Sequence, residues 1–565
     1  MIAGRRFTMR PFSVYEADVL VIGGGVTATR AAVAAHDQGA KVVLVDKGIL
    51  GKSGGGPVAF SVTCAFMQAP DSAEVLFRDM IASGQGLNNR RLVKAFVEDV
   101  FEGRVLELEK FGIVFARERD GQLSRRQMGG HSQPRDVASF HAASMVNVMV
   151  SEVMRREIKV FSETAITKLL TYQGRIVGAI GLKRKTGEMI VFRAKSTVLT
   201  AGGASQAFGP GSVCGYSTTL LEITGDSYAM AYRVGAELVD MEFIQYILAF
   251  AYPELYKGIL AGEPAAHNAK LYNSLGERFM ERYDPERMER STKDILAAAI
   301  VQEVKAGRGT PHGGAWMDFS AASDDSLHIF PYPFEEAGID PRKDRVEVMP
   351  AAHYHMGGVK ISEKCESNVP GLYASAEAAG GLHGANRLAG CSTADSNVFG
   401  SRSGKYAAID ALRTERVGID WQQTLEEEER LRRLLETGKK VSGIKPVDLK
   451  RKIQTVLWND AGPLRDRASL TMAIKKIKEL REEYGQLRLR DTSAQYNNEL
   501  MEAVDIANML DFGEMMAQAA LLREETRGGH YREDFPKKDD EKWLKNIVIK
   551  KQDNEMCVST MPVVM

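Results

Sequence analysis

The sequence predicts an α/β fold in which a parallel-sheet, nucleotide-binding domain is interrupted by an inserted domain and followed by a helical domain. Three observations predict it. Residues 18–22 and 41–46 are short β-branched apolar runs that flank a glycine turn and an alanine-rich helical stretch, the pattern of strand, turn, helix and buried strand. Residues 243–350 change texture and mix helical segments with Gly/Pro-containing loops such as 307–314. Residues 420–440 and 464–524 are rich in Glu, Lys, Arg, Leu, Ala and Met, all strong helix formers.

Taken in order, residues 14–242 read as the first part of the nucleotide domain and 243–350 as the insert. Residues 351–415 read as the second part, 420–530 as the helical domain, and 531–565, polar with few periodic apolar positions, as an extended C-terminal arm. Residues 165–195 read as a small antiparallel element with turns at Gln173-Gly174 and Thr186-Gly187. Residues 191–201 read as one further strand closing on Gly202-Gly203.

The chain has 565 residues, enough for three to four domains at roughly 150 residues each. Lys plus Arg and Asp plus Glu are 74 each, so the net charge is +0, which argues against a general nucleic-acid binder. Five cysteines are scattered at 64, 214, 365, 391 and 557 without a CxxC, so no metal or iron–sulfur centre held by this chain is expected. The same scatter fits a reducing compartment. No run of about 18 apolar residues is present to span a membrane. The Arg5-Arg6 pair leads into a strand-like run rather than an apolar export segment, so no signal peptide is expected. The expected location is cytoplasmic, or the inner face of a membrane through partner subunits.

Gly23-x-Gly25-x-x-Ala28 fits the dinucleotide fingerprint. Gly23 permits the turn, and Gly25 lets the backbone approach a pyrophosphate at a helix N-terminus. Ala28 stands at the third position. Asp46 ends the next strand, 21 residues after Gly25, at the spacing of a ribose-binding acid. A second glycine-rich loop follows directly, running from Lys47 through Ser53, Gly54 and Gly55. A second backbone approach suits a long cofactor, which favours FAD over NAD.

The chain resembles the flavoprotein family of succinate dehydrogenase, fumarate reductase and L-aspartate oxidase. The resemblance rests on Val21-Ile-Gly-Gly-Gly25, Met128-Gly-Gly-His-Ser132, Thr200-Ala-Gly-Gly203, Thr224-Gly-Asp226, Met241-Glu-Phe-Ile-Gln245, His353-Tyr-His-Met-Gly-Gly358, Leu382-His-Gly-Ala-Asn-Arg-Leu388 and Thr526-Arg-Gly-Gly-His530. It implies a Rossmann-like FAD-binding domain, an inserted capping domain and a C-terminal helical domain. It also implies FAD contacts from Asp226, Glu377, Ser392 and Thr393. Respiratory members attach FAD to a His after a Ser in the second glycine loop; here Ser53 is followed by Gly54, so non-covalent FAD is expected.

Two of the four carboxylate-handling residues that the resemblance implies are present, His353 and Arg387. Arg suits the role because its planar fork binds a carboxylate bidentately. The other two are changed. The His after Met-Glu-Phe-x-Gln-x is Ile247, and the proton-donating Arg before Asp is Lys293, followed by Asp294. The Glu that marks the aspartate oxidase pattern is Met128. These departures argue against plain succinate, fumarate or aspartate and for a substrate with an apolar or bulky end. Lys293 reads as the proton-transfer residue or as a solvated helix lysine. Tyr246 reads as a substitute donor or as core, and His131 as lining the substrate cavity or as a loop His. His355 reads as structural, and Cys391 as a buried thiol.

The implied activity is hydride transfer between flavin N5 and an organic acid or acyl substrate, as CH–CH oxidation or C=C reduction. A separate iron–sulfur subunit is the implied electron partner. The alternatives are an enzyme resembling adenylylsulfate reductase and an electron-relay flavoprotein within a larger redox complex.

Overall fold

In the computed structural model, residues 12–565 are described except 53, 55–61, 65–69, 127, 139–143, 210–215, 218–221, 254–256, 259, 263, 324–326, 328–333, 335–336 and 440–441. A five-stranded parallel sheet lies at the centre of the nucleotide-binding region. Its order is Leu372–Ala374, Ser196–Leu199, Val19–Ile22, Val42–Val45 and Lys159–Phe161. Val19–Ile22 and Val42–Val45 are buried along their whole length, as β-branched runs are when both faces of a parallel sheet are covered. The helix Val26–His36 packs on the long helix Cys391–Arg413, so strands and helices far apart in sequence close one domain. Small residues permit that approach: a Cβ on Gly404 would lie 2.0 Å from the Ala31 carbonyl oxygen.

Residues 191–201 are two strands rather than one. Glu188–Arg193 belongs to an antiparallel sheet with Arg175–Lys183 and Thr164–Tyr172, whereas Ser196–Leu199 joins the parallel sheet. The chain changes sheets at Lys195, where the Asp18 carbonyl accepts from the backbone N–H groups of both Lys195 and Ser196 at 3.1 Å.

The insert has its own apolar core, including Phe250, Leu271, Phe279, Ile300 and Val348. Two long strands, Ile244–Tyr252 and Arg345–His355, pair antiparallel and lead into and out of it. Their register skips His353: Gln245 faces Tyr354 and Tyr246 faces Ala352. His353 is therefore the extra residue of a β-bulge, a device that re-aims a side chain.

Helices Trp421–Glu436, Pro446–Ala461, Arg467–Tyr484 and Asn498–Leu522 share a second core with the antiparallel sheet. Beyond them the expected arm is instead a hairpin, Lys545–Gln552 with Glu555–Pro562, which adds two strands to a sheet containing Leu238–Val239. Burial of Ile547 and Ile549 holds it there. Its two-residue turn, Asp553-Asn554, has φ of 49° and 64°, the left-handed pair that matches strand twist.

Candidate active site

A cleft runs across the C-terminal ends of the parallel strands. The N-terminus of the helix Val26–His36 opens into it. Gly25 is the N-cap residue and has no side-chain cap, which leaves backbone N–H groups for a phosphate. Close approach forbids side chains there: a Cβ on Gly23 would lie 2.5 Å from the Thr200 carbonyl oxygen, and one on Gly24 would lie 2.0 Å from Asp46 Oδ2. Asp46, Lys47, Gly54, Asp226, Glu377, Ser392 and Thr393 also line the cleft. Ser392 and Thr393 open the helix Cys391–Arg413, so two helix N-termini point into one elongated cleft. These features fit a dinucleotide of FAD length.

Ala28 does not line the cleft; it is fully buried in the apolar core, where a small side chain allows close packing. Ser53 and Gly55 lie outside the described residues. Lys47 and Asp226 do more than line the cleft. Lys47 Nζ lies 2.8 Å from Asp226 and 2.9 Å from Asp505 on the helix Asn498–Leu522, and Asn508 donates to Asp226 at 2.8 Å. Burial works against the Lys47 charge, but the two carboxylates outweigh it and hold the ammonium above its ordinary value. This cluster ties the helical region to the cofactor cleft.

Arg387 is buried in a pinned segment. The Asn386 carbonyl accepts from Ser83 Oγ at 3.1 Å, and the Ala385 carbonyl accepts from Gly529 N–H at 2.9 Å. Gln245 fixes the side chain: its Oε1 accepts from Arg387 Nη2 at 2.7 Å, while its Nε2 donates to Asn386 Oδ1 and to the Arg387 carbonyl. Among the described residues, Arg387 Nε has no hydrogen-bond partner. A buried guanidinium with an unpartnered Nε is suited to a carboxylate fork.

His353 lines the same cleft. Burial, then the charges of Arg387 and Lys293, push its imidazole well below its ordinary value, so it is neutral. Lys293 is the first residue of the helix Lys293–Lys305, and the neighbouring Asp294 Oδ1 lies 3.4 Å from Asn386 Nδ2. Burial pushes the Asp294 carboxyl up. The structure thus brings Arg387, His353 and the N-terminus bearing Lys293 together.

Ile247 is buried on the strand face that also carries Gln245. Tyr246 points the other way. It packs edge-on against Phe208 and Trp458 in the helical core, so it is not a substrate-site residue. His131 does not line the cleft either. Its Nε2 donates to the Ala389 carbonyl at 2.7 Å, and Arg135 donates to its Nδ1 at 3.1 Å. Arg135 is itself clamped on Asp71 at 2.7 Å. His131 therefore braces the segment after Arg387. His355 is buried among Phe208, Tyr228 and Phe512, with its backbone N–H on Glu377. Cys391 is a buried thiol in the core.

No role for Gln245, Tyr354 or Asp505 is evident from the sequence alone. Gln245 stands in the quoted Met241–Gln245 motif, which was its only signal. Asp505 meets Lys47 across 458 positions, and nothing local marks it.

Residues 18–393 match the FAD binding domain family, and residues 450–565 match the C-terminal domain of the fumarate reductase flavoprotein. The chain is 36% identical over 553 residues to one subunit of the fumarate reductase (CoM/CoB) of Methanothermobacter marburgensis, covering 95% of this chain and 98% of that one. It is 30% identical to the fumarate reductase flavoprotein subunit of Escherichia coli, covering 94% and 91%. Among solved structures, the Escherichia coli quinol fumarate reductase FrdA E245Q variant aligns with TM-score 0.90 and 28% identity over 98% of each chain. Mycobacterium smegmatis Sdh1 in complex with UQ1 aligns with TM-score 0.87 and 33% identity, over 98% and 95%. The chain belongs to the flavoprotein family of fumarate reductase and succinate dehydrogenase, and it is an FAD-dependent oxidoreductase. Among the described residues, no helix is long and apolar enough to cross a membrane.

Proposed function

We propose that the chain exchanges a hydride between FAD and a carbon–carbon bond of an organic acid or acyl compound whose acidic end is held by Arg387 and whose other end is apolar. The observation that carries this reading is the buried Arg387 guanidinium, fixed by Gln245 at 2.7 Å with its Nε unpartnered among the described residues, beside a neutral His353. Gly23, Gly25, Asp46, Lys47, Asp226, Glu377, Ser392 and Thr393 would hold FAD without a covalent bond. The cofactor supplies the hydride chemistry at its flavin ring.

Arg387 binds and orients the carboxylate. In the reducing direction the hydride goes to one carbon of the double bond, and Lys293 gives a proton to its neighbour. In the oxidising direction both steps reverse. His353 stays neutral and accepts or donates one hydrogen bond without adding charge. Ile247 stands where the family has a His, so the second end of a small dicarboxylate lacks a donor there. This separates the proposed substrate from fumarate, the acid for which the relatives are named.

Electrons exchange with a separate iron–sulfur protein. The relative from Methanothermobacter is itself one subunit of its enzyme. No group of three or more His, Cys, Asp or Glu among the described residues forms a metal site in this chain. Anaerobic mixing of the reduced holoenzyme with a panel of unsaturated acids tests the reading. Reoxidation by acids with an apolar substituent, faster than by fumarate, is expected. Equal or faster reoxidation by fumarate refutes the substrate assignment.

A further inference from the structure

The helix Asn498–Leu522 belongs to the helical region, yet one of its faces reaches residues of the cofactor cleft. Asp505 and Asn508 stand one helical turn apart and share that face. Lys47 donates to Asp505, and Asn508 donates to Asp226; Lys47 and Asp226 both line the cleft. The helix is seated closely here. A Cβ on Gly225, next to Asp226, would lie 3.2 Å from Phe512 Cβ, and the Tyr228 and Phe512 rings stack with centroids 6.0 Å apart.

Lys47 Nζ has oxygens of Thr224, Asp226 and Asp505 at 2.9, 2.8 and 2.9 Å, which occupies all of its hydrogens. None is left for a cofactor phosphate, so Lys47 serves the cleft by fixing Asp226. Asp226 Oδ1 accepts from Thr224 Oγ1 and from Asn508 Nδ2, each at 2.8 Å, and its Oδ2 faces Lys47. Asp226 is thus held on one side by its own segment and on the other by the helical region.

Burial works against the Asp226 charge, but Lys47 outweighs it and holds the carboxyl below its ordinary value. At Asp505 burial wins and pushes the carboxyl up. A second buried acid at this ammonium is therefore costly, and packing alone does not call for it. What it provides is a fixed position for Lys47, and through Lys47 for Asp226.

We infer that Asp505 and Asn508 are positioning residues of the FAD site: from the helical region they hold Lys47 and Asp226 in the arrangement that the cofactor meets. FAD binding and the seating of Asn498–Leu522 on the cleft favour each other, because the same two side chains serve both. The inference rests on the reading of this cleft as the FAD site.

Fluorescence titration of the full-length apoprotein with FAD, with hydrogen exchange over residues 498–510 before and after loading, tests it. Asp505→Asn withdraws a charge from Lys47, and Asn508→Leu withdraws the donor to Asp226. Each should weaken FAD by about ten-fold, the worth of one hydrogen bond to a charged group. FAD should slow exchange over 498–510 in the wild type, and Asp505→Asn should lose most of that slowing. Met516→Ala, which opens a cavity in the helical core further along the same helix, should lower Tm and leave FAD affinity unchanged. Gly24→Ala, measured alongside, separates this inference from the cleft reading. FAD affinity kept in Gly24→Ala removes both. Affinity lost there but kept in Asp505→Asn and Asn508→Leu removes this inference alone. Equal weakening in Met516→Ala, or no slowing by FAD in the wild type, also overturns it. If Asp505→Asn does not fold, Asn508→Leu decides.

Discussion

Arg387 lies over the ring of Tyr354, its guanidinium carbon 4.7 Å from the ring centroid. The Tyr354 hydroxyl in turn donates to Asp395 at 3.3 Å, and Asp395 also lies 3.2 Å from His383 Nε2. The arginine is therefore held on its face by an aromatic ring and at its end by Gln245. That leaves orientation, rather than charge alone, as what the site provides. Arg387→Lys keeps the charge and loses the fork and the stacking. KM for the organic acid should rise by about ten-fold or more with flavin content unchanged. Steady-state kinetics and a flavin spectrum check both halves.

Lys293 begins the helix Lys293–Lys305, next to Asp294, which reaches Asn386. Lys293→Met should leave flavin binding intact and lower turnover by roughly 10²-fold, the usual worth of a positioned acid or base. Turnover at the wild-type rate would make this lysine structural.

Gly24 leaves no room for a methyl group, because its Cβ would fall 2.0 Å from the Asp46 carboxylate. Gly24→Ala should displace the acid expected at the cofactor ribose and give protein with little bound flavin. Visible absorbance of the purified variant, normalised to protein, checks this.

His530 is fully buried and its tautomer is set. Arg465 donates to Nδ1 at 2.8 Å, and Nε2 donates to the Arg523 carbonyl at 3.1 Å. Burial, then the Arg465 and Arg523 charges, hold it well below its ordinary value. The unfolded chain takes up this proton near pH 6.5, and the folded one does not. The stability that His530 contributes is thus present above that pH and falls as pH drops through it. The advantage of the wild type over His530→Asn should shrink by about 2 kcal/mol between pH 7 and 5, as read by denaturant unfolding.

The nucleotide-binding half was legible because its signals are local. Two buried strands, a glycine turn and Asp46 stand within one short stretch, and Gly23 and Gly24 each have a steric reason. Errors arose where pattern and tertiary context part. Tyr246 and Ile247 are adjacent, so on a strand they face opposite ways, and the Gln245–Arg387 contact decides which face is the site. Residues 191–201 are continuously strand-like, yet the chain changes sheets at Lys195 because Asp18 accepts from two successive backbone N–H groups. The tail reads as polar because the outer strand Glu555–Pro562 is largely solvated, while its partner is buried by Leu238–Val239 from far away in sequence. The Lys47–Asp226–Asp505 cluster likewise joins three distant segments.

Anaerobic reoxidation of the chemically reduced holoenzyme, followed by its visible flavin absorbance with the wild type and Arg387→Lys side by side, bears most directly on the proposed chemistry. An unsaturated organic acid with an apolar substituent is expected to reoxidise the wild-type flavin, and at sub-saturating acid Arg387→Lys should do so at least about ten-fold more slowly. Flavin that no organic acid or acyl compound reoxidises, or an equal rate in both proteins, would contradict Arg387 as the carboxylate clamp of a hydride-transfer site.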